Sequence, residues 1–552
     1  MNAVTQSDTS LHTARLSLAS AWWFVAAALA VLVLIPVGAT FSLSVTPAAD
    51  VWQHLWDNVL PDVLTNTLWL VIGVGLGAAT LGVSLAWLTA ACDFPGRKWL
   101  SWALLLPLAV PAYVLAFVFV GLFDYTGPLQ TYARALIGDL PFPPIRSTGG
   151  VILVMTLAFY PYVYLITRNA FLTQGRRALE AAQSLGLSPR QAFLRVVLPM
   201  ARPWIAGSVM LVLMETVADF GTVAVFNYDT FTTAIYKAWY ALFSLPAAAQ
   251  LASLLVLLVF ALLLLEQYTR ARKRYTPAGR SGFHSAPLVL SGAKRWFASF
   301  YCSIILALAF VVPVVQLLVW AVDTAANDLD ARYFEFVWHS LLLGATAAAI
   351  TCCAALLLSY AGRYEPSRMT QALIRLSTLG YALPGPVLAV GTFIPIAWLD
   401  RTLSEVLHKD GQFLQGTLLA MLVAYCVRFL AVGFQPIDGN MQRVTRNIDD
   451  AARGMGASQR ELFQRIHFPI LRGGLFTGIT LVFVDVMKEM PITLMTRPFG
   501  WDTLAVQIFE LTSEGQWERA ALPAVTLVVA GLIPIGLLSR FGGENHANEH
   551  QP

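Results

Sequence analysis

Glu215 and Asp219, four residues apart, recur 270 positions later as Asp485 and Glu489. Acids at that spacing share one face of a helix, so each copy is expected to present two carboxylates on a single stripe. Carboxylate oxygens are the ligands that hard, highly charged cations prefer, and four of them would line a path for such a cation. Both pairs sit in apolar surroundings, where a charge at mid-bilayer costs about 2.5–3.5 kcal/mol even on lenient insertion scales, so they should face protein or water. The competing reading is structural: Lys488 adjoins Glu489, and Thr216 and Thr222 offer hydrogen bonds. Tyr113, Tyr160, Tyr162, Tyr381 and Tyr425 offer phenolic oxygens, although tyrosine near a span end is more often an interface anchor. No metal ligand set is assigned. The eight histidines are scattered, and Cys92, Cys302, Cys352, Cys353 and Cys426 have no metal or disulfide spacing and read as small apolar fillers.

The elements that must position these acids are membrane helices. The chain is 57% hydrophobic and 12% charged with a mean hydropathy of +0.64, against about 25% charged in a soluble domain. About 20 apolar residues span a bilayer as a helix. Such runs predict twelve spans, near 20–43, 64–91, 99–122, 150–171, 203–225, 247–267, 297–322, 337–361, 372–399, 414–434, 473–495 and 520–539. The first is longer than the apolar core of a signal peptide and is expected to stay as an anchor. Pro107, Pro111, Pro384 and Pro386 predict kinks or breaks in the third and ninth spans. With the N-terminus inside, 27 of the 36 Lys and Arg, Arg428 among them, fall on the cytoplasmic side and 8 on the other. The net charge of +4 therefore needs no nucleic acid to explain it, and the run RARKRY at 270–275 reads as a topology signal rather than a lipid-binding patch.

A second feature repeats at the same offset. EAAQSLGLSPRQAFLRVVLP at 180–199 aligns without gaps to DAARGMGASQRELFQRIHFP at 450–469, with 8 identities in 20 positions. Each copy predicts a short helix ending at a left-handed glycine, Gly186 or Gly456. A new helix then starts with a capping box, Ser188 to Gln191 or Ser458 to Glu461, and is expected to break at Pro199 or Pro469. Ala181, Ala182, Ala451 and Ala452 keep a surface shallow enough for another backbone, with Glu180 or Asp450 beside it. An amphipathic hairpin lying on the membrane is the alternative, but two copies in equivalent loops argue for two docking points on a two-fold partner. The Pro- and Gly-containing linker at 268–296 separates two six-span halves.

In that loop, Glu180, Ala181, Ala182 and Gly186, and the second copy with aspartate at Asp450, resemble the EAA loop of ABC importer permeases. DFGTVAVF at 219–226, TFTTAIY at 230–236, FVDVMKEMP at 483–491 and RPFGWDTLA at 497–505 resemble the fused, two-domain permeases of ferric iron importers. The resemblance runs from about 60 to 540. It implies an all-α integral membrane fold of the type I importer kind: twelve helices in two homologous halves, permease domains at 62–267 and 337–540, flanked by the tail and first helix at 1–61, the linker and seventh helix at 268–336, and a cytoplasmic tail at 541–552. It further implies a bacterial inner-membrane protein with both termini cytoplasmic. Two ATP-binding subunits, which hold the ATP and Mg, would grip the two loops, and a periplasmic ferric-iron-binding protein would deliver the cargo.

The chain has no G-x-x-x-x-G-K-[ST] loop and no nucleophile paired with a base, so a transport subunit is expected and not an enzyme. Permeases for thiamine, phosphonate or polyamine are the nearest alternatives. A proton-coupled secondary transporter also has six plus six spans but no reason to repeat a capped docking helix, and a scaffold without transport has only the same loops in its favour.

Overall fold

The computed structural model describes residues 4–46, 49–138, 143–271, 288–408 and 413–547. Within the bilayer every backbone N–H and C=O must be paired inside the chain, and helices achieve this segment by segment. Eleven helices among the described residues are long and apolar enough to cross: Ala21–Ser44, Leu60–Ala91, Ala112–Leu136, Thr148–Thr173, Pro189–Ala218, Leu245–Leu265, Ala293–Asp328, Ala331–Tyr364, Gly385–Leu407, Leu419–Met441 and Gln459–Lys488. The twelfth expected span coincides with the helix Trp517–Ala547. One short parallel pair, Cys92–Asp93 with Leu288–Val289, fastens the end of the linker to the second span. Residues 272–287, which hold most of RARKRY together with Pro277, Gly279, Gly282 and Pro287, lie outside the described residues.

The third and ninth spans are broken where the prolines stand. Helix Arg97–Ala103 gives way to a 3-10 turn at Leu106–Ala109, and a new helix begins at Ala112. The ninth repeats this with Arg368–Ser377, Thr378–Ala382 and Gly385–Leu407. The cause is local. Proline disfavours the helical region for its predecessor, and Val110 and Leu383 are indeed extended, with ψ of 122° and 129°, before Pro111 and Pro384. The fifth and eleventh spans correct an expectation, because no break occurs at Pro199 or Pro469. A π-helical turn, Phe193–Val197 or Leu462–His467, opens the hydrogen-bond ladder just before each proline, and the helix then continues as Leu198–Ala218 or Phe468–Lys488.

The two halves exchange their peripheral helices. Ala26 and Val33 of the first span share a core with Leu388 and Val427 of the second half, and Trp22 stacks on Tyr360 and Tyr364 at 5.7 and 5.6 Å. Gly391 admits this close approach, since a Cβ there would lie 2.4 Å from the Pro36 carbonyl oxygen. Reciprocally, Leu317 and Trp320 of the seventh span and Ala521 and Leu527 of the last helix pack in the first-half core. Gly121 gives way there to Trp320 and Trp517. Packing crosses the boundaries drawn from sequence.

Candidate translocation site and docking helices

Where the broken spans meet the ends of the fifth and eleventh, a cavity of about 230 Å³ brings together Glu215, Asp219, Asp485 and Glu489 with Tyr113, Tyr162, Tyr381, Arg428 and Lys488. The four acids do not form two matched stripes. Helices Leu198–Ala218 and Phe468–Lys488 stop one residue short of Asp219 and Glu489, which are extended C-caps. Their carboxylates close the next short helices instead. Asp219 accepts from the Thr222 and Val223 amides at 2.9 and 3.3 Å and from the Thr222 hydroxyl at 3.1 Å. Glu489 accepts from the Ile492 and Thr493 amides at 3.0 and 3.3 Å. A carboxylate at a helix N-terminus satisfies otherwise orphan N–H groups, so these two acids build the break.

Glu215 and Asp485 remain on helix and face the cavity. Glu215 Oε1 accepts from the Tyr381 hydroxyl at 3.2 Å, a bond between the halves. Lys488 does not pair with Glu489: its ammonium donates to the Leu108 carbonyl of the other half at 3.2 Å. Arg428, counted above as cytoplasmic, stands inside the helix Leu419–Met441 and donates to the Leu383 carbonyl at 2.9 Å. Both carbonyls belong to the broken stretches of the third and ninth spans. The tyrosines are not interface anchors, since Tyr113, Tyr160 and Tyr425 are buried in the bundle and Tyr162 and Tyr381 line the cavity. Among the described residues no group of three or more His, Cys, Asp or Glu has an arrangement that could hold a metal ion.

The repeated loops fold alike. Helices Arg176–Ser184 and Arg446–Gly454 end at Gly186 and Gly456, with φ of 86° and 87°. Leu187 N and Ala457 N reach back to the Ala182 and Ala452 carbonyls at 3.1 and 3.0 Å, the bond of a Schellman end. Both capping boxes are complete. One expectation needs correcting: Ala182 and Ala452 are buried in their own chain, because their side chains point inward from the short helices. Glu180, Ala181, Asp450 and Ala451 are exposed. The outward tips are Leu185 and Met455, 84% and 82% exposed and again 270 apart.

Residues 78–275 and 354–543 each match the family model for the binding-protein-dependent transport system inner membrane component. The chain belongs to this family of ABC-type permeases. It is 26% identical over 487 residues to the Fe(3+)-transport system permease protein FbpB 2 of Haemophilus influenzae, covering 87% of this chain and 90% of the relative. To the ferric transport system permease protein FbpB of Actinobacillus pleuropneumoniae it is 22% identical over 511 residues, 87% of this chain and 71% of the relative. A putative 2-aminoethylphosphonate transport system permease protein, PhnV of Salmonella typhimurium, is 24% identical over 266 residues, 46% of this chain and 97% of the relative. These relatives are transport permeases, and the chain is a multi-pass inner-membrane protein of the same kind.

The permease anchors the short helix of its second repeated loop in a way sequence reading missed. Asp449 accepts from Arg363 at 2.5 Å and pairs with His467 Nε2 at 3.0 Å, and His467 Nδ1 meets the Tyr360 hydroxyl at 2.8 Å. The repeat partners of Asp449 and His467 are Leu179 and Val197, both buried, and at the first loop they share an apolar core with Trp87, Phe171 and Phe193 instead. Burial works to raise the Asp449 carboxyl, but the bonds from Arg363 and His467 outweigh it and hold it below its ordinary value. A depressed carboxyl stabilises the fold in full above its ordinary value and loses that contribution as pH falls through the lowered one. Asp449→Ala leaves the part-buried Arg363 guanidinium with only the Val444 carbonyl for a partner, so it is expected to cost about 3 kcal/mol. The midpoint of thermal unfolding of the purified permease should fall, and Leu179→Ala, which removes only apolar packing, should cost about 2 kcal/mol.

Proposed function

We propose that this chain carries ferric iron from the periplasm to the cytoplasm as the membrane subunit of an ATP-driven importer. The carrying observation is the pair of short helices at an offset of 270, each ending at a left-handed glycine, followed by a capping box and bearing an exposed apolar tip. A two-fold motor needs two such handles, and secondary transport needs none. The likeness to ferric permeases over most of both chains supports iron as cargo. Two ATP-binding subunits, holding ATP and Mg, grip Glu180, Ala181, Leu185 and Gly186 on one side and Asp450, Ala451, Met455 and Gly456 on the other. A periplasmic ferric-iron-binding protein delivers the cargo to the opposite face. The excess of basic residues on one side supports a cytoplasmic position for both loops and both termini.

In alternating access the two bundles rock around a site near the middle of the membrane. The cavity is lined by both halves, and Tyr381 to Glu215 and Lys488 to Leu108 are bonds between the halves that rocking must remake. Glu215 and Asp485 are the acids left to contact a passing cation, with Asp219 and Glu489 holding the path's wall. A ligand shifts the equilibrium only through different affinities for the two states, so these carboxylates should surround the cation better in the outward-open form.

Membrane vesicles containing the permease, its ATP-binding subunits and the binding protein should take up labelled ferric iron only with ATP. Cysteines placed at Ala181 and Ala451 should cross-link to the ATP-binding subunits. Undiminished uptake without those subunits would refute the assignment. A second reading, a phosphonate permease, is favoured by Arg428 and Lys488 in the cavity and by the phosphonate relative. Labelled 2-aminoethylphosphonate supplied in place of iron tests it.

A further inference from the structure

We propose that the cavity wall contributed by the second half is an oxyanion subsite, so that ferric iron crosses together with a bound phosphate or carboxylate oxyanion and not as a bare cation. This rests on the iron reading above.

Arg428 and Lys488 share a cavity with four carboxylates, yet among the described residues neither has a carboxylate oxygen within 4.0 Å. Each makes one hydrogen bond, to a backbone carbonyl. A guanidinium has five N–H donors and an ammonium three, so closing those carbonyls occupies only a fraction of what they offer. Arg428 Nε is buried with no hydrogen-bond partner. Unused cationic donors beside a cavity are suited to an acceptor that arrives with the cargo.

The repeat makes the placement pointed. At the offset of 270, Arg428 corresponds to Ala158 and Lys488 to Ala218, and both alanines also line the cavity. The acids are thus shared between the halves, Glu215 with Asp485 and Asp219 with Glu489, while both cations stand on one. A cavity of this pattern has a carboxylate side and a mixed side, which fits a cargo having a positive and a negative end.

Charge points the same way. Asp219 and Glu489 are committed to backbone amides, which leaves Glu215 and Asp485 to meet a cation and Arg428 and Lys488 to meet an anion, and with all six ionised the cavity carries two negative charges in excess. A bare trivalent cation would bring more charge than that excess neutralises, in surroundings where uncompensated charge is unfavourable. With an oxyanion of two or three negative charges bound to it, the cargo is close to neutral. Its iron then faces Glu215, Asp485 and the phenols of Tyr162 and Tyr381, and its oxyanion faces Arg428, whose planar fork suits two oxygens at once, and Lys488.

The test uses the permease reconstituted with its ATP-binding subunits and binding protein in proteoliposomes. The binding protein is loaded with labelled iron plus labelled phosphate, labelled iron plus labelled citrate, or labelled iron with neither. Entry of one labelled oxyanion in fixed proportion to iron is expected, and phosphate and citrate are told apart by which label enters. Arg428→Gln and Lys488→Met should each lower entry about tenfold, the loss of a charge-assisted bond, while Arg428→Lys retains most of it. ATP hydrolysis by each variant complex reports that assembly is intact. Iron entering at full rate with neither label, or undiminished in both charge-removing variants, would overturn the subsite. If no loading delivers iron but labelled 2-aminoethylphosphonate enters and Arg428→Gln stops it, the iron reading fails and the oxyanion subsite stands.

Discussion

Aspartate in place of both Leu185 and Met455 is expected to abolish ATP-driven uptake while leaving the permease at normal levels in the membrane. These tips protrude beyond the short helices and bury almost nothing in their own chain, so the change costs the isolated fold little. In the assembled importer an apolar tip seated in a cleft is the kind of contact that dominates an interface. Truncating such a residue typically costs 2 kcal/mol or more, about 30-fold in affinity, and an unpaired carboxylate in its place costs more. Two lost tips together should therefore release the ATP-binding subunits at cellular concentrations. Co-purification of the subunits measures this directly. Retention of both subunits with normal uptake would show that the tips are not the grip.

The second large effect concerns the uncommitted acids. Glu215→Gln with Asp485→Asn is expected to reduce iron uptake by about 100-fold or more, two lost contacts to a cation at roughly 1.5–3 kcal/mol each, with the complex assembled and the protein level unchanged. Amides keep the shape and the hydrogen bond to Tyr381 but remove the charge. Asp219→Ala should behave differently. It strips the acceptor from the Thr222 and Val223 amides and so weakens the short helix by about 1 kcal/mol, the usual loss of a cap. Its signature is reduced thermal stability accompanying any loss of transport. Equal behaviour of the two variants would mean that all four acids serve the fold alone.

The spans and the local fold of the repeated loops were legible in the sequence because each rests on a local signal: length and apolarity for the helices, and Ser188, Gln191, Gly186 and their copies for the loops. The twelve crossings and both Schellman ends follow from that. The breaks at Pro111 and Pro384 were equally readable. What escaped depends on pairing between distant segments. Arg428 looked like a loop cation because counting charges by side ignores where within a span a residue sits. Asp449 and His467 gained their meaning only when Arg363, 86 residues before Asp449 in the chain, arrived beside them. Pro199 and Pro469 looked like breaks because a π turn ahead of a proline has no compositional mark. One signal was available and unused: positions where the two copies disagree in charge, such as Ala158 with Arg428, Ala218 with Lys488, Leu179 with Asp449 and Val197 with His467, are the places where the halves have specialised.

The exchange of outer helices bears on the order of synthesis. When the first six spans have entered the membrane, Trp22, Ala26 and Val33 have no finished core to join, because Tyr360, Leu388 and Val427 have yet to be translated. The nascent first half must therefore wait in a provisional arrangement, its outermost helix against lipid, until the later spans insert and take it up. A chain cut within residues 272–287 would leave two fragments, each lacking part of its own interior, and they should mature only when made side by side in the same membrane.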